Sequence, residues 1–433
     1  MAIPAQRVGW QVEIARLLLA GALGGGACAN MTEPPGGPPD STPPHVVLVR
    51  PESGAVVPTF DGDAVVRFDE VIDQLSGGGG ATGGLASRVI LSPVAGDVKV
   101  SWHRSSIHLK PAEGWKKGRV YHLQLLPGIA DLRHNTMKQG TMVIFSTGPA
   151  LPHAALSGTA LQWVDQHVLA QAVIRAAPLP DTTAYVTIAD SGGAFSFTNI
   201  PRGRYRVHAI QDQNGNRRLD AREPFDSATV TVDSSAVVTL WAFPHDTIAP
   251  KLHAADPSDS ITIRLTFSQP LDPRRPLDTT AVRLVSLPDS APVHVRALMT
   301  GPLYDSLQAR ARAIADSLRR AKDTTHAAQP GPAPRQTRLP TAAPSKRDTT
   351  AFRLDTARIR QLLRQRPIPT DRWVVRTVRP LTPGSKYLIR IHGAVNLTGT
   401  VGDAQTVFVV PVPKPPPPAP AHDSVHAKPG KGS

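Results

Sequence analysis

Apolar and polar residues alternate one for one in short runs along most of this chain, and glycine, proline or aspartate breaks each run. A period of two puts every second side chain on one face, so each run reads as a half-buried strand and not as a helix. Residues 45–150 hold seven such runs: "HVVLVRP", "AVVRFDE", "SRVILSP", "VKVSWH", "SIHLKP", "VYHLQLL" and "TMVIFSTG". Short strands this closely spaced predict a β-sandwich. The punctuation is dense because the 433 residues include 44 prolines and 34 glycines, well above ordinary usage. The length allows about three domains.

The pattern then returns. "KPAEGWKKGRVYHLQL" parallels "RPLTPGSKYLIRI", with Gly118 and Tyr121 in one and Gly384 and Tyr387 in the other. A polar turn follows each, "GIADLRHNTM" and "GAVNLTGT", before a last strand. The openings match as well, "TPPHVVLVRPESGAVV" beside "DTIAPKLHAADPSDSI". Residues 247–412 therefore read as a diverged second copy, interrupted by residues 301–370. Between the copies, residues 154–244 form a third unit, in which Phe195, Phe197, Tyr205, Val207 and Ala209 alternate with polar residues across the "NIPRG" turn. The expected class is all-β: three tandem β-sandwiches, with a partly helical, mostly disordered insertion in the third.

Net charge is +14, a value that raises the question of a polyanion partner. The excess is concentrated: residues 301–370 carry 14 Lys/Arg against 5 Asp. "YDSLQARARAIADSLRRAK" has helical spacing, "TARIRQLLRQR" predicts a second short helix, and the Pro-rich stretch between them cannot bury enough apolar surface to offset chain entropy. This concentration argues against a specific nucleic-acid site. It predicts a solvated basic segment outside the folded units, tolerated because loop closure costs little more as a loop lengthens. Residues 413–433 read as an extended Pro-rich tail.

The amino terminus reads as an address. Residues 1–27 place Arg7 and Arg16 ahead of an 11-residue apolar run, Leu17 to Ala27, too short for the roughly 20 residues a bilayer needs. The one cysteine, Cys28, excludes an internal disulfide and a multi-cysteine zinc site. After Ala27 it resembles the lipidated residue of bacterial lipoproteins, though Gly25 stands where that family usually has leucine. Residues 28–44 form a Pro/Gly-rich tether. The resemblance implies an exported protein, anchored by lipid in the outer membrane on its periplasmic or cell-surface face.

The flanking units resemble bacterial Ig-like domains of the S-layer type, carried by "DSTPPHVVLVRPESGAVV", "VVRFDEVID", "LKPAEGWKKGRVYHLQL" and "DLRHNT". The middle unit resembles carboxypeptidase-regulatory-like or Cna-B-like modules, carried by "GGAFSFTNIPRGRYRVHAIQDQNGNRRLDAREPF". The resemblance speaks for architecture far more than for activity.

One loop carries candidate chemistry. "DQNGNRRLDARE" places Asp212, Asn214, Asn216, Arg218 through its carbonyl, Asp220 and Glu223 at the ligand positions of a calcium loop, with Leu219 as the apolar anchor. Position six, ordinarily glycine, is Arg217. A left-handed arginine costs roughly 1–2 kcal/mol, so the spacing predicts a weak Ca2+ site, in the range of about 10⁻⁴–10⁻³ M. The competing reading is an Asx-turn loop held by its own side chains.

No HExxH, GxSxG, Walker or GxGxxG motif falls in a sensible context. Asp69 and Glu70 are neighbours at a strand end, and His103 and His108 read as surface or hydrogen-bonded residues. Trp102, Trp115, Trp163, Trp241 and Trp373 read as core or sandwich-edge packing residues, since no two are spaced to guarantee a shared face for sugar stacking. The expected function is a non-enzymatic envelope scaffold or adhesion module, with an envelope protein or polysaccharide as partner. The alternatives are a carbohydrate- or peptidoglycan-binding protein using the basic insertion, and an envelope hydrolase with a site between modules.

Overall fold

Seven strands build the first module in two layers. The computed structural model describes residues 40–77, 83–148, 150–324 and 356–412. The signal peptide, Cys28, residues 28–39 of the tether, the disorder expected between the two insertion helices and the Pro-rich tail lie outside the described residues. Strands β1 (Val46–Arg50), β2 (Ala64–Phe68), β5 (Ser106–Pro111) and β4 (Val98–His103) form one sheet in that order; β3 (Val89–Ser92), β6 (Val120–Leu125) and β7 (Thr141–Ser146) form the other. Alternation explains the core between them: Ala64, Val66 and Phe68 of β2 meet Ile107 and Leu109 of β5, and Tyr121, Leu123 and Phe145 close from the second layer.

The third module repeats this order and adds one short strand, β19, at the edge of its second sheet. One sheet runs β16 (Leu252–Asp259), β17 (Thr262–Leu271), β21 (Thr370–Thr377), β20 (Val295–Thr300). The other runs β19 (Pro292–Val293), β18 (Val282–Leu287), β22 (Lys386–Val395), β23 (Val401–Val409). The shared Gly-x-x-Tyr spacing has a structural cause. Gly118 and Gly384 are left-handed, at φ 72° and 79°. The tyrosine that follows each folds back, Tyr121 Oη accepting from the Lys116 amide at 2.8 Å and Tyr387 Oη from the Thr382 amide at 2.9 Å.

In this correspondence β20 and β21 match β4 and β5. The first copy joins its pair with two residues, Arg104 and Ser105. The second joins them through the whole insertion, including α1 (Gly301–Thr324) and α2 (Thr356–Leu363). Tyr304 anchors the start of α1: it is buried, with the Arg264 guanidinium 5.3 Å from its ring, and Arg264 also pairs with Asp305 at 2.9 Å.

The middle module has a sheet β11 (Tyr185–Ile188), β10 (Val173–Pro178), β13 (Gly203–Ile210), β14 (Phe225–Val232). It faces a second sheet of β12 (Ala194–Ile200), β8 (Ala154–Gln162) and β15 (Ser235–Ala242), with β9 (His167–Val168) added to β8. The five alternating residues Phe195, Phe197, Tyr205, Val207 and Ala209 all lie in its core. The protein is all-β in class, and no helix among the described residues is long and apolar enough to cross a membrane.

Candidate functional site

The calcium-like loop joins two adjacent antiparallel strands, β13 and β14, whose register closes at Ile210 opposite Phe225. No helix leads in or out because the sheet itself fixes both ends. Within the loop, Asp212 Oδ1 accepts from the Gly215 amide and Oδ2 from the Arg217 amide, both at 2.8 Å. Asn214 Oδ1 accepts from the Asn216 amide at 2.9 Å, and Asn216 Oδ1 from the Arg218 amide at 2.7 Å. The Nδ2 groups of Asn214 and Asn216 both donate to Asp220 Oδ2, at 2.7 and 3.0 Å. Glu223 turns inward, 4% exposed, and its Oε1 accepts from the Gln213 amide at 2.9 Å. Its Oε2 is buried with no hydrogen-bond partner.

Arg217 adopts the left-handed conformation that position six demands, at φ 56°. Its side chain leaves the loop. The guanidinium donates to the Val89 carbonyl at 2.8 Å and makes a short contact with the Ser87 carbonyl, both in the first module. Arg175 Nη1 holds the Arg217 carbonyl at 2.9 Å. Burial lowers the pKa of both guanidinia. Arg218 pairs with Asp97 of the first module at 3.1 Å, in the open. Leu219 corrects an expectation: at 41% exposed it anchors no core, because the loop faces the neighbouring module and not its own sheet interior.

More of that junction lies alongside. The edge strands β3 and β11 meet, with the Val186 amide donating to Ser92 Oγ at 3.0 Å and Thr187 Oγ1 to Gln124 Oε1 at 3.0 Å. Arg119 pairs with Asp181 at 3.0 Å. His122 is buried against Tyr185, ring centroids 4.9 Å apart, and desolvation pushes its pKa down to about 4.

The second junction corrects one further expectation. Trp163 and Trp241 share one cluster with Leu161 and Leu397, into which Leu362 and Leu363 of the insertion pack. The Arg366 guanidinium sits 5.3 Å from both indole rings, and Trp163 Nε1 donates to the Pro367 carbonyl at 3.1 Å. The end of the basic insertion therefore rests on the middle module through Leu362 and Leu363, while Arg364 to Ile368 stay exposed around that contact. At 1% and 3% exposed, the two indoles offer no sugar-stacking platform. Arg274, held by Asp272 at 2.9 and 3.0 Å, adds a second cation over Trp163 at 5.4 Å.

The sequence pattern also concealed an acidic group. Carboxylate oxygens of Asp40, Glu70 and Asp131 lie within 4.8 Å of one another. Glu70 is raised above the usual carboxylate value, by desolvation first and then by Asp131, Asp40 and Asp69. In the second copy Asp246, Gln269 and Asn396 stand at the matching places, and the amides close on themselves: Asn396 Nδ2 donates to the Asp246 carbonyl at 2.7 Å and to Gln269 Oε1 at 3.3 Å. Asp69 accepts from the His45 amide at 2.8 Å. His108 lies 3.3 Å from Ser106 Oγ and beside His103, ring centroids 4.3 Å apart and planes tilted by 48°.

Residues 40–147 match the family model of the bacterial Ig-like domain. That assigns the first Ig-like module, and the third shares its strand order. A search of curated proteins finds no match. Remote likenesses occur among solved structures. The major pilin subunit BcpA of Bacillus cereus is 11% identical, with 47% of this chain and 71% of that chain covered and a TM-score of 0.17. A DUF3823 family protein from Bacteroides uniformis is 8% identical, with 60% and 100% covered and a TM-score of 0.17. The TIE protein of Bacillus anthracis is 12% identical, with 59% and 48% covered and a TM-score of 0.17. At such scores the fold rests on the sheets and the family match alone.

Proposed function

We propose that this is a non-enzymatic spacer and interaction protein of the bacterial envelope, exported and held by a lipid on Cys28. The observation that carries the reading is the construction of its junctions. A flexible string of modules would meet through exposed linkers; here Arg217 reaches two carbonyls of the first module, and Arg366 lies over two indoles of the second. Joints in which such side chains meet the buried His122, Trp163 and Trp241 suit a part whose work is to hold surfaces at a fixed separation. Mass spectrometry of the mature amino terminus, with detergent fractionation of membranes, tests the anchor. An acylated Cys28 in the membrane fraction is the expected result, and an unmodified cysteine in a freely soluble protein defeats it.

A second reading concerns the loop itself. Its donors are all oxygens, the set a hard cation prefers, and Glu223 Oε2 is a buried acceptor without a donor. A carbonyl oxygen has two lone pairs, so one accepted amide does not exhaust Asn214 or Asn216. Asp212, Asn214, Asn216, the Arg218 carbonyl, Asp220 and Glu223 would hold a Ca2+ ion, which would supply charge balance to the buried carboxylate and stiffen the clasp. Calorimetry on the whole protein should give a weak binding heat that Glu223→Gln abolishes. Absence of heat and of any calcium-dependent rise in Tm leaves the self-satisfied turn.

A further inference from the structure

A cavity of about 970 Å³ opens at the first junction, between the β3–β4 side of the first module and the outer face of β10 and β13. Its size is that of a small-ligand site. The strand period lays its cationic floor. In "RGRYRVHAI", Tyr205, Val207 and Ala209 enter the core of the middle module, so Arg204, Arg206 and His208 face outward. Register sets Arg175 of β10 directly opposite His208, and Ala177 opposite Arg206. An arginine facing a histidine gains the sheet nothing by pairing. The loop after β13 then brings Arg217 and Arg218 to the same cavity.

The cations here outnumber the acids that meet them. Arg175 uses one of its five N–H groups, on the Arg217 carbonyl. Among the described residues no carboxylate comes within ion-pair distance of Arg175 or Arg217; Asp212 acts on Arg217 from farther away. Desolvation first, then Arg218 beside Arg175 and Arg88 beside Arg217, lowers these guanidinia. His208 is lowered by desolvation, then by Arg175 and Arg206. The carboxylates at the rim are engaged: Asp181 with Arg119 at 3.0 Å, and Asp97 with Arg218 at 3.1 Å. The second pair lies in the open, where an ion pair contributes little and exchanges readily.

We propose that this cavity is an oxyanion site, in which a phosphate or carboxylate group takes the free N–H donors of Arg175 and displaces Asp97 from Arg218, with His208 alongside. Three features select that chemistry. Partly desolvated guanidinium groups match carboxylate and phosphate oxygens in charge and geometry. No Phe, Tyr or Trp lines the cavity, so neither a base nor a neutral sugar finds a ring to stack on. The site is recessed between two modules, which keeps a flat lipid surface out, and half-buried Val94, Val98 and Val100 on the opposite wall accept the uncharged body that carries the anion. The site requires neither a lipid on Cys28 nor calcium in the neighbouring loop.

Calorimetry on the full chain, in calcium-free buffer because both probes chelate calcium, compares inorganic pyrophosphate with oligogalacturonate. Binding of pyrophosphate alone assigns a free phosphate compound as the source of the anion; tighter binding of oligogalacturonate assigns an acidic polysaccharide, and either result supports the site. Arg175→Gln with Arg218→Gln should weaken whichever probe binds by at least about tenfold. Arg310→Gln with Arg312→Gln, which removes the same charge at exposed positions of α1, should leave Kd unchanged. Because Arg175 also holds the Arg217 carbonyl, Thr182→Glu gives an independent reading: the exposed threonine lines the cavity, and a carboxylate there should block the site with Tm unchanged. Absence of binding by both probes, equal weakening by the two arginine pairs, or full binding by the Thr182→Glu protein overturns the inference.

Discussion

Arg217 shows how one residue can be wrong for its own loop and right for the molecule. Its left-handed backbone costs about 1–2 kcal/mol. Hydrogen bonds from a charged donor contribute about 1.5–3 kcal/mol each, enough to offset that strain when the carbonyls of Ser87 and Val89 accept them. Arg217→Gly should therefore separate the two effects. The middle module keeps or slightly gains stability, while the first junction opens, seen as a second transition in calorimetry and as new protease cleavage between residues 148 and 154. A single unchanged transition would show that Arg217 does not hold the junction. The spacing of "DQNGNRRLDARE" was enough to place the left-handed residue. It could not reveal that the side chain points away from the loop, since its partners lie 128 and 130 residues earlier. Leu219 misled for the same reason: a position in a motif does not say which neighbour faces it.

At the scale of elements, what repeats locally was legible and what meets at a distance was not. Period-two alternation marks the buried face of a strand, and the Gly-x-x-Tyr spacing marks the tyrosine that ties the turn before β6 and β22. Tyr121→Phe and Tyr387→Phe should each cost about 1 kcal/mol, by loss of one hydrogen bond to a backbone amide. Chemical denaturation would read the two losses as equal if the duplicated corners do the same work. The insertion lay beyond this reasoning. Composition describes its middle, but α2 is amphipathic for a surface supplied by another module, and the bond from Trp163 to Pro367 spans 204 residues. The cations beside Trp163 and Trp241 add about 0.5–2 kcal/mol per ring, more where water is excluded. Arg366→Ala should lower the melting temperature of the middle and third modules together, by loosening their shared face. A drop confined to the third module would mean that α2 serves only its own sandwich.

For the whole molecule, the first junction sets an acid limit. His122 is neutral where it lies, packed on Tyr185 and near the Asn199 backbone, with its pKa pushed down to about 4 by burial. The unfolded chain takes up that proton near the ordinary histidine value of 6.5. Between the two values the unfolded chain binds more protons than the folded one. The stability His122 confers is thus complete above about pH 6.5 and is lost as pH falls toward 4, on the order of 3 kcal/mol over the interval. His208 and His245 are lowered by burial too and add to the same slope. The carboxylates Asp131 and Asp272, held below their usual values by hydrogen bonds despite desolvation, act only at lower pH. His122→Phe keeps a ring against Tyr185 and removes both the proton site and the unpartnered Nε2. Melting temperatures between pH 7.5 and 4.5 should fall steeply in the parent and less steeply in this variant, with equal or higher stability at neutral pH. Parallel slopes would place the acid sensitivity outside this junction, and the first two modules would then separate in acid for a reason unconnected to the buried ring between them.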